Sequence, residues 1–173
     1  MALSLALVAS DIIHSSAGDA ILRFTRVRSS VGEISDLIAD GYRRSVTFHA
    51  LVERLQASNV IVSIQPAACA GGRIRSCLAG VKGSDLERHI WIKVDPQHTI
   101  KNRLIATMAH ELQHAVEIAE HPEIVDAASA LRFYRTVSIG PCGRRLSDEC
   151  ETTRALDTER QVVDELSRPV TRK

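Results

Sequence analysis

Leu104-Ile105-Ala106-Thr107-Met108-Ala109-His110-Glu111-Leu112-Gln113-His114-Ala115-Val116-Glu117-Ile118-Ala119-Glu120 is the stretch around which the rest of the chain must fold. Leu104, Met108, Leu112 and Ala119 recur at helical spacing, and Ile105 and Val116 widen the stripe. Thr99 is a suitable N-cap, and the His121-Pro122 step is a natural stop because proline disfavours helix in the residue before it. On such a helix His110 and His114 lie one turn apart on one face, so both imidazoles can reach one point. Burying His, Glu and His together is costly unless something shared compensates them. A metal ion does so. Glu111 can then lean over the open side and take a proton from water held there.

The chain has 173 residues, 45% of them hydrophobic, enough for one domain with a real core. Its net charge of +1 gives no electrostatic reason to bind nucleic acid or an anionic membrane. Aromatic residues make up only 3%, which argues against a base-stacking or carbohydrate-binding surface. The apolar run Leu3–Ala9 is too short to span a bilayer. It lacks a preceding Lys or Arg, so residues 1–19 read as a truncated signal peptide or a segment packing on the core. Cys69 with Cys77 and Cys142 with Cys150 form two local pairs, each eight residues apart across a glycine-containing segment. No CxxC occurs, so two small disulfide loops are expected rather than a zinc ribbon. That favours a periplasmic or secreted protein, with four buried thiols in a cytoplasmic one as the alternative.

Residues 20–167 read as a single α+β domain, followed by a basic tail, 168–173. Ala20–Val27 alternates like a strand, and Ser29 or Ser30 caps a helix over Glu33–Tyr42 that Gly41 and Arg43-Arg44 close. Ser45 caps a second helix, Thr47–Gln56, with Phe48, Leu51, Val52 and Leu55 as its core stripe. Strands follow at Val60–Ile64, Arg73–Val81 and His89–Val94, the last two forming a hairpin. A small, mostly antiparallel sheet packed on the histidine helix is the economical arrangement. His49, His89 and His98 lack ligand spacing.

A catalytic zinc takes three protein ligands and leaves a position open. The metzincin pattern would place glycine at 117 and histidine at 120, but glutamates stand there. His121 is one residue late and precedes a proline. The remaining source is a C-terminal helix opening near Asp148 and running to Leu166, with Ala155, Leu156, Val162, Val163 and Leu166 as its stripe. Glu151 lies one turn before Ala155, which would turn it to the core as a ligand. Asp148 and Glu151 also have capping-box spacing, a rival reason for that carboxylate. Glu149 and Glu159 are the reserve ligands.

His110-Glu111-Leu112-Gln113-His114-Ala115, a long spacer and then Glu151-Thr152-Thr153-Arg154-Ala155 resembles the gluzincin branch of HExxH zinc metallopeptidases. More narrowly, it is similar to small bacterial proteins of unassigned activity with an HELQHA helix and a later E-T-x-x-A helix. Ser45–Val52 is similar to a stretch that precedes the sheet in those proteins, and the resemblance covers about residues 20–167. It implies one zinc ion per chain held by His110, His114 and Glu151, and hydrolysis of a peptide or protein substrate with Glu111 as general base. In the thermolysin-like pattern an Asp four residues after the third ligand orients the first histidine. Ala155 stands there, so that duty must fall elsewhere.

Tyr134, with Arg132 and Arg135 beside it, is the candidate donor to the developing oxyanion. The strand at 88–94 is the candidate for aligning an extended substrate by backbone hydrogen bonds. Two rivals share these residues: a zinc-stabilised domain without activity, and an HExxH hydrolase of a non-peptide amide. Glu111 separates the first from an enzyme, since a closed structural site has no use for it.

Overall fold

A computed structural model describes residues 24–69, 75–97, 99–148 and 150–168. The expected N-terminal segment, the first half of the strand at 20–27, His98, Glu149 and the tail beyond Arg168 lie outside the described residues. The elements run β1 (Val27–Arg28), α1 (Gly32–Arg44), α2 (Val46–Gln56), β2 (Val60–Pro66), β3 (Ser76–Gly83), β4 (Arg88–Val94), α3 (Lys101–Glu120), α4 (Ala127–Val137) and α5 (Thr153–Ser167).

The fold is α+β, but the sheet is mixed rather than mostly antiparallel. Strand order is β1-β2-β4-β3, with β1–β2 and β2–β4 parallel and only β3–β4 antiparallel. The reason is the connection: β1 reaches β2 through two helices, a crossover that parallel pairing requires. Register sets Val62 beside Ile90 and Ile64 beside Ile92, and all four are fully buried on the inner face. The expected hairpin forms, with an irregularity between Leu78 and Gly80 in β3.

α3 lies against that inner face and is covered on its other sides by α2 and α5, so every residue from Leu104 to Ile118 is buried. A helix buried all round must satisfy its own polar side chains internally. Arg88 shows how far this is taken. It enters the inner face at the start of β4, 1% exposed, and donates from Nη1 to the carbonyls of Ile118, His121 and Ile124 at 2.7, 2.8 and 3.3 Å. Its Nη2 donates to Asn59 Oδ1 at 2.7 Å and the Ala119 carbonyl at 3.2 Å. The guanidinium thus closes the negative C-terminal end of α3.

Local signals were read with mixed success. Ser45 caps α2 as expected, its hydroxyl accepting from Phe48 N. Val31 and Ile100 occupy the N-cap positions of α1 and α3 without side-chain capping bonds, in place of Ser29 or Ser30 and Thr99. Gly41 does not close α1, which continues to Arg44. A Cβ there would stand 2.8 Å from Ile105 Cγ2 and 3.0 Å from Phe48 Cδ2, so the glycine lets α1 approach α3 and α2 closely. The C-terminal helix begins at Thr153, five residues after Asp148, with Thr152 as its cap. Asp148 instead orders the preceding turn, accepting from Arg144 N and Arg145 N. The capping box that was the rival reason for Glu151 therefore does not form. None of the helices is long and apolar enough to cross a membrane, among the described residues.

Candidate metal centre

α3 supplies His110, Glu111 and His114, and the connection from α4 to α5 supplies Glu151. Ligand atoms of His110, His114 and Glu151 all lie within 4.8 Å of one another, close enough to hold one metal ion. The two imidazoles meet edge to face, with ring centroids 4.9 Å apart. Glu151 is the residue just before the Thr152 cap, outside the helix, and does not come from a helical stripe. Its carbonyl accepts from Ser138 Oγ at 3.0 Å and Ile139 N at 2.9 Å, which fixes the backbone beneath the carboxylate.

The fit of these groups to a cation can be tested on the side chains themselves. Glu151 Oε2 stands 3.0 Å from His110 Nε2, yet it is buried and has no aligned hydrogen-bond donor. A buried carboxylate oxygen without a donor is expensive. A positive charge set between it and the imidazoles would compensate it. The proton balance agrees. Burial pulls the His110 imidazole down, but Glu151 and Glu159 outweigh it, and its pKa is raised to about 10. This point in the fold stabilises positive charge.

Each histidine faces a second carboxylate through Nδ1, which leaves Nε2 for the metal. Glu117 Oε2 is 3.0 Å from His114 Nδ1. Glu159 Oε2 lies 3.4 Å from His110 Nδ1, an ion-pair distance without hydrogen-bond alignment, and its other oxygen is 3.6 Å from Arg103 Nη2. Glu159, a reserve ligand by sequence, therefore stands behind the first histidine. Such outer carboxylates fix the imidazole tautomer and raise its basicity toward a metal.

Glu111 is buried beside the histidines, and Ser76 Oγ donates to its Oε1 at 2.9 Å. Ser76 pairs with Val94, so β3 presents its hydroxyl to the inner face and α3. Burial pushes the Glu111 carboxyl up, opposed by the positive charge of His114 and His110 and by the Ser76 hydrogen bond. A carboxyl held above its ordinary value is a stronger base than an exposed one.

A cavity of about 30 Å³ opens onto this cluster, roofed by Leu146, Ser147 and Cys150 and floored by Ser76 and Leu78. That is room for an ion and a small ligand such as water. Both cysteine pairs form, Cys69–Cys77 with Cα atoms 6.1 Å apart and Cys142–Cys150 at 4.5 Å. Each ends beside a site residue: Cys77 follows Ser76, and Cys150 precedes Glu151.

The other candidates separate cleanly. Tyr134 lines the cavity, but its hydroxyl donates to the His114 carbonyl at 2.9 Å, which engages it in holding α3. Arg135 is exposed and reaches the Gly143 carbonyl. The strand at 88–94 is β4, paired on both edges, so it has no free backbone for a substrate, and β3 is the edge strand beside the site. His121 is paired with Glu123 at the end of α3, His49 stacks on Tyr42 at the surface, and His89 pairs with Glu87. Ser76, Glu117 and Thr152 were not anticipated as site residues. The available signal was Glu117 itself, a carboxylate three residues after His114 on a helix with little polar face. No family model, curated protein or solved structure matches this chain.

Proposed function

We propose that the protein is a zinc-dependent peptide hydrolase of the gluzincin type. The observation that carries this reading is Glu111, a buried carboxylate beside the three potential ligands and facing the same cavity. A purely structural metal site gains nothing from that residue, whereas hydrolysis requires a base there. The donor set of two imidazoles and one carboxylate suits zinc in a catalytic site.

A bound zinc ion supplies Lewis acidity toward a carbonyl oxygen and toward water. Glu111 takes the proton from a water in the cavity as it attacks the carbonyl carbon, then returns it to the departing amine nitrogen. Ser76 holds the carboxylate in place through Oε1, leaving Oε2 for that transfer. Tyr134 keeps the His114 turn of α3 fixed from behind. Among the described residues β3 is the edge strand beside the cluster, and so the strand along which an extended substrate would align. Two disulfides flanking the site suit a protein working in an oxidising compartment, periplasmic or extracellular.

The test is hydrolysis of a quenched-fluorescent peptide library by zinc-loaded protein, wild type against Glu111→Gln. The reading expects cleavage by the wild type, a loss of at least about 100-fold in Glu111→Gln, and equal zinc content in both. Cleavage that survives Glu111→Gln contradicts it. Equal zinc with no cleavage by either protein favours the non-catalytic domain.

A further inference from the structure

Glu117 is 3% exposed and lies on α3 between the two halves of the site. Its two oxygens have different partners. Oε2 meets His114 Nδ1 at 3.0 Å, and Oε1 accepts from Thr152 Oγ1 at 2.7 Å. As a carboxylate Glu117 can accept at both oxygens, one toward each partner. A proton on His114 Nδ1 completes the contact with Oε2 and leaves Nε2 for a metal.

Thr152 is the residue after Glu151 and the cap of α5, where its Oγ1 accepts from Ala155 N at 3.1 Å. One hydroxyl therefore starts the helix and binds the carboxylate. Its single proton goes to Glu117 and its lone pair to the helix. The path His114–Glu117–Thr152–Glu151 is continuous and joins the second ligand to the third across 37 residues of chain. With a cation between His114 and Glu151 the path closes into a ring.

We infer that Glu117 is a positioning residue that couples the histidine and glutamate ligands through Thr152, so that neither holds the metal at full strength without the other. The inference rests on the zinc reading above. It makes affinity and ligand geometry depend on a residue that does not touch the ion. In Glu117→Gln the amide can serve His114 with its oxygen or Thr152 as before, but not both. If the NH2 turns to Thr152, the threonine proton loses its acceptor.

The experiment measures zinc affinity of the full-length protein by chelator competition, and the visible d–d spectrum of the Co2+-substituted protein. Variants are Glu117→Gln, Thr152→Val, Thr152→Ser and the Glu117→Gln/Thr152→Val double variant. Glu117→Gln and Thr152→Val are each expected to weaken zinc binding by roughly 10–100-fold and to shift the cobalt spectrum. Thr152→Ser keeps the hydroxyl and should match the wild type. The double variant should be little weaker than either single one, because each cuts the same path. Wild-type affinity and an unchanged cobalt spectrum in Glu117→Gln overturn the coupling while leaving the zinc site standing. Additive losses in the double variant do the same. A wild type that takes up no zinc overturns the zinc reading, and the coupling with it.

Discussion

Ser76 Oγ donates to Glu111 Oε1 across 2.9 Å, binding the buried edge of β3 to the one carboxylate of α3 that faces the cavity without being a potential ligand. Sheet register, not sequence proximity, creates this contact, since Ser76 and Glu111 are joined only by the inward turn of β3 opposite Val94. Removing the hydroxyl frees the Glu111 carboxylate to rotate without disturbing any ligand. Ser76→Ala should lower kcat by roughly 10–150-fold at unchanged zinc content, since a hydrogen bond to a charged group contributes about 1.5–3 kcal/mol. Steady-state kinetics beside elemental analysis checks this. A parallel fall in zinc content would show that Ser76 supports the fold of the site instead.

Glu151 is flanked by the Cys142–Cys150 bridge on one side and the Thr152 cap on the other, with Ser138 and Ile139 holding its carbonyl. The bridge limits how far the ligand can wander when the chain opens. Cys142→Ser/Cys150→Ser should lose about 2–3 kcal/mol of stability, from chain entropy alone. It should also release zinc to a chelator faster than Cys69→Ser/Cys77→Ser does, because the second bridge ends at Ser76 and not at a ligand. Stopped-flow release with a chromogenic chelator distinguishes the two; equal rates would assign the bridges a purely global role.

Arg88 carries its charge into the core and meets four carbonyls around the end of α3 rather than a carboxylate. Arg88→Met fills a similar volume but strands those carbonyls and Asn59. It should cost about 3–5 kcal/mol, and Arg88→Lys most of that, since an ammonium cannot span the same acceptors. Urea midpoints report both. A loss within 1 kcal/mol for Arg88→Lys, on the order of a surface change, would mean that charge alone, not the fork, holds the helix end.

Acid should loosen the junction of α1, α2 and α5 away from the site. Burial raises the Asp40 and Glu165 carboxyls. Lys101 and Arg44 outweigh it at Asp40, and Ser45 and Thr47 at Glu165, so both lie below their ordinary values of 3.8 and 4.5. A depressed folded pKa stabilises fully above the unfolded value and is lost as pH falls through the folded one. Thermal midpoints in EDTA should therefore hold above about pH 5 and fall below it, and Asp40→Asn with Glu165→Gln should start lower and decline less. Parallel curves for variant and wild type would exclude these two groups as the source.

The helix carrying the histidines, its stop at His121, the Ser45 cap and the two cysteine pairs were legible because each is written locally, in periodicity, capping chemistry or spacing. Glu151 was reached from the right end of the chain for the wrong reason. Sequence placed it on a helical stripe, whereas Thr152 caps the helix and Glu151 precedes that cap. The parallel pairing of β2 with β4 was not legible, since β3 intervenes between them in sequence but lies outside β4 in the sheet. That same placement moved the free edge from the strand at 88–94 to β3. Ser76 and Thr152 depend on side-chain partners 35 residues away, which no local pattern encodes, whereas Glu117 also faces His114 three residues before it.

The most direct test is zinc stoichiometry and affinity of the purified, zinc-supplied chain, by elemental analysis and chelator competition, for wild type and Glu151→Ala. Three converging ligands predict about one zinc per folded wild-type chain and markedly weaker retention in the variant. A folded wild type that binds no zinc, or a Glu151→Ala that binds it equally well, would contradict the His110–His114–Glu151 centre.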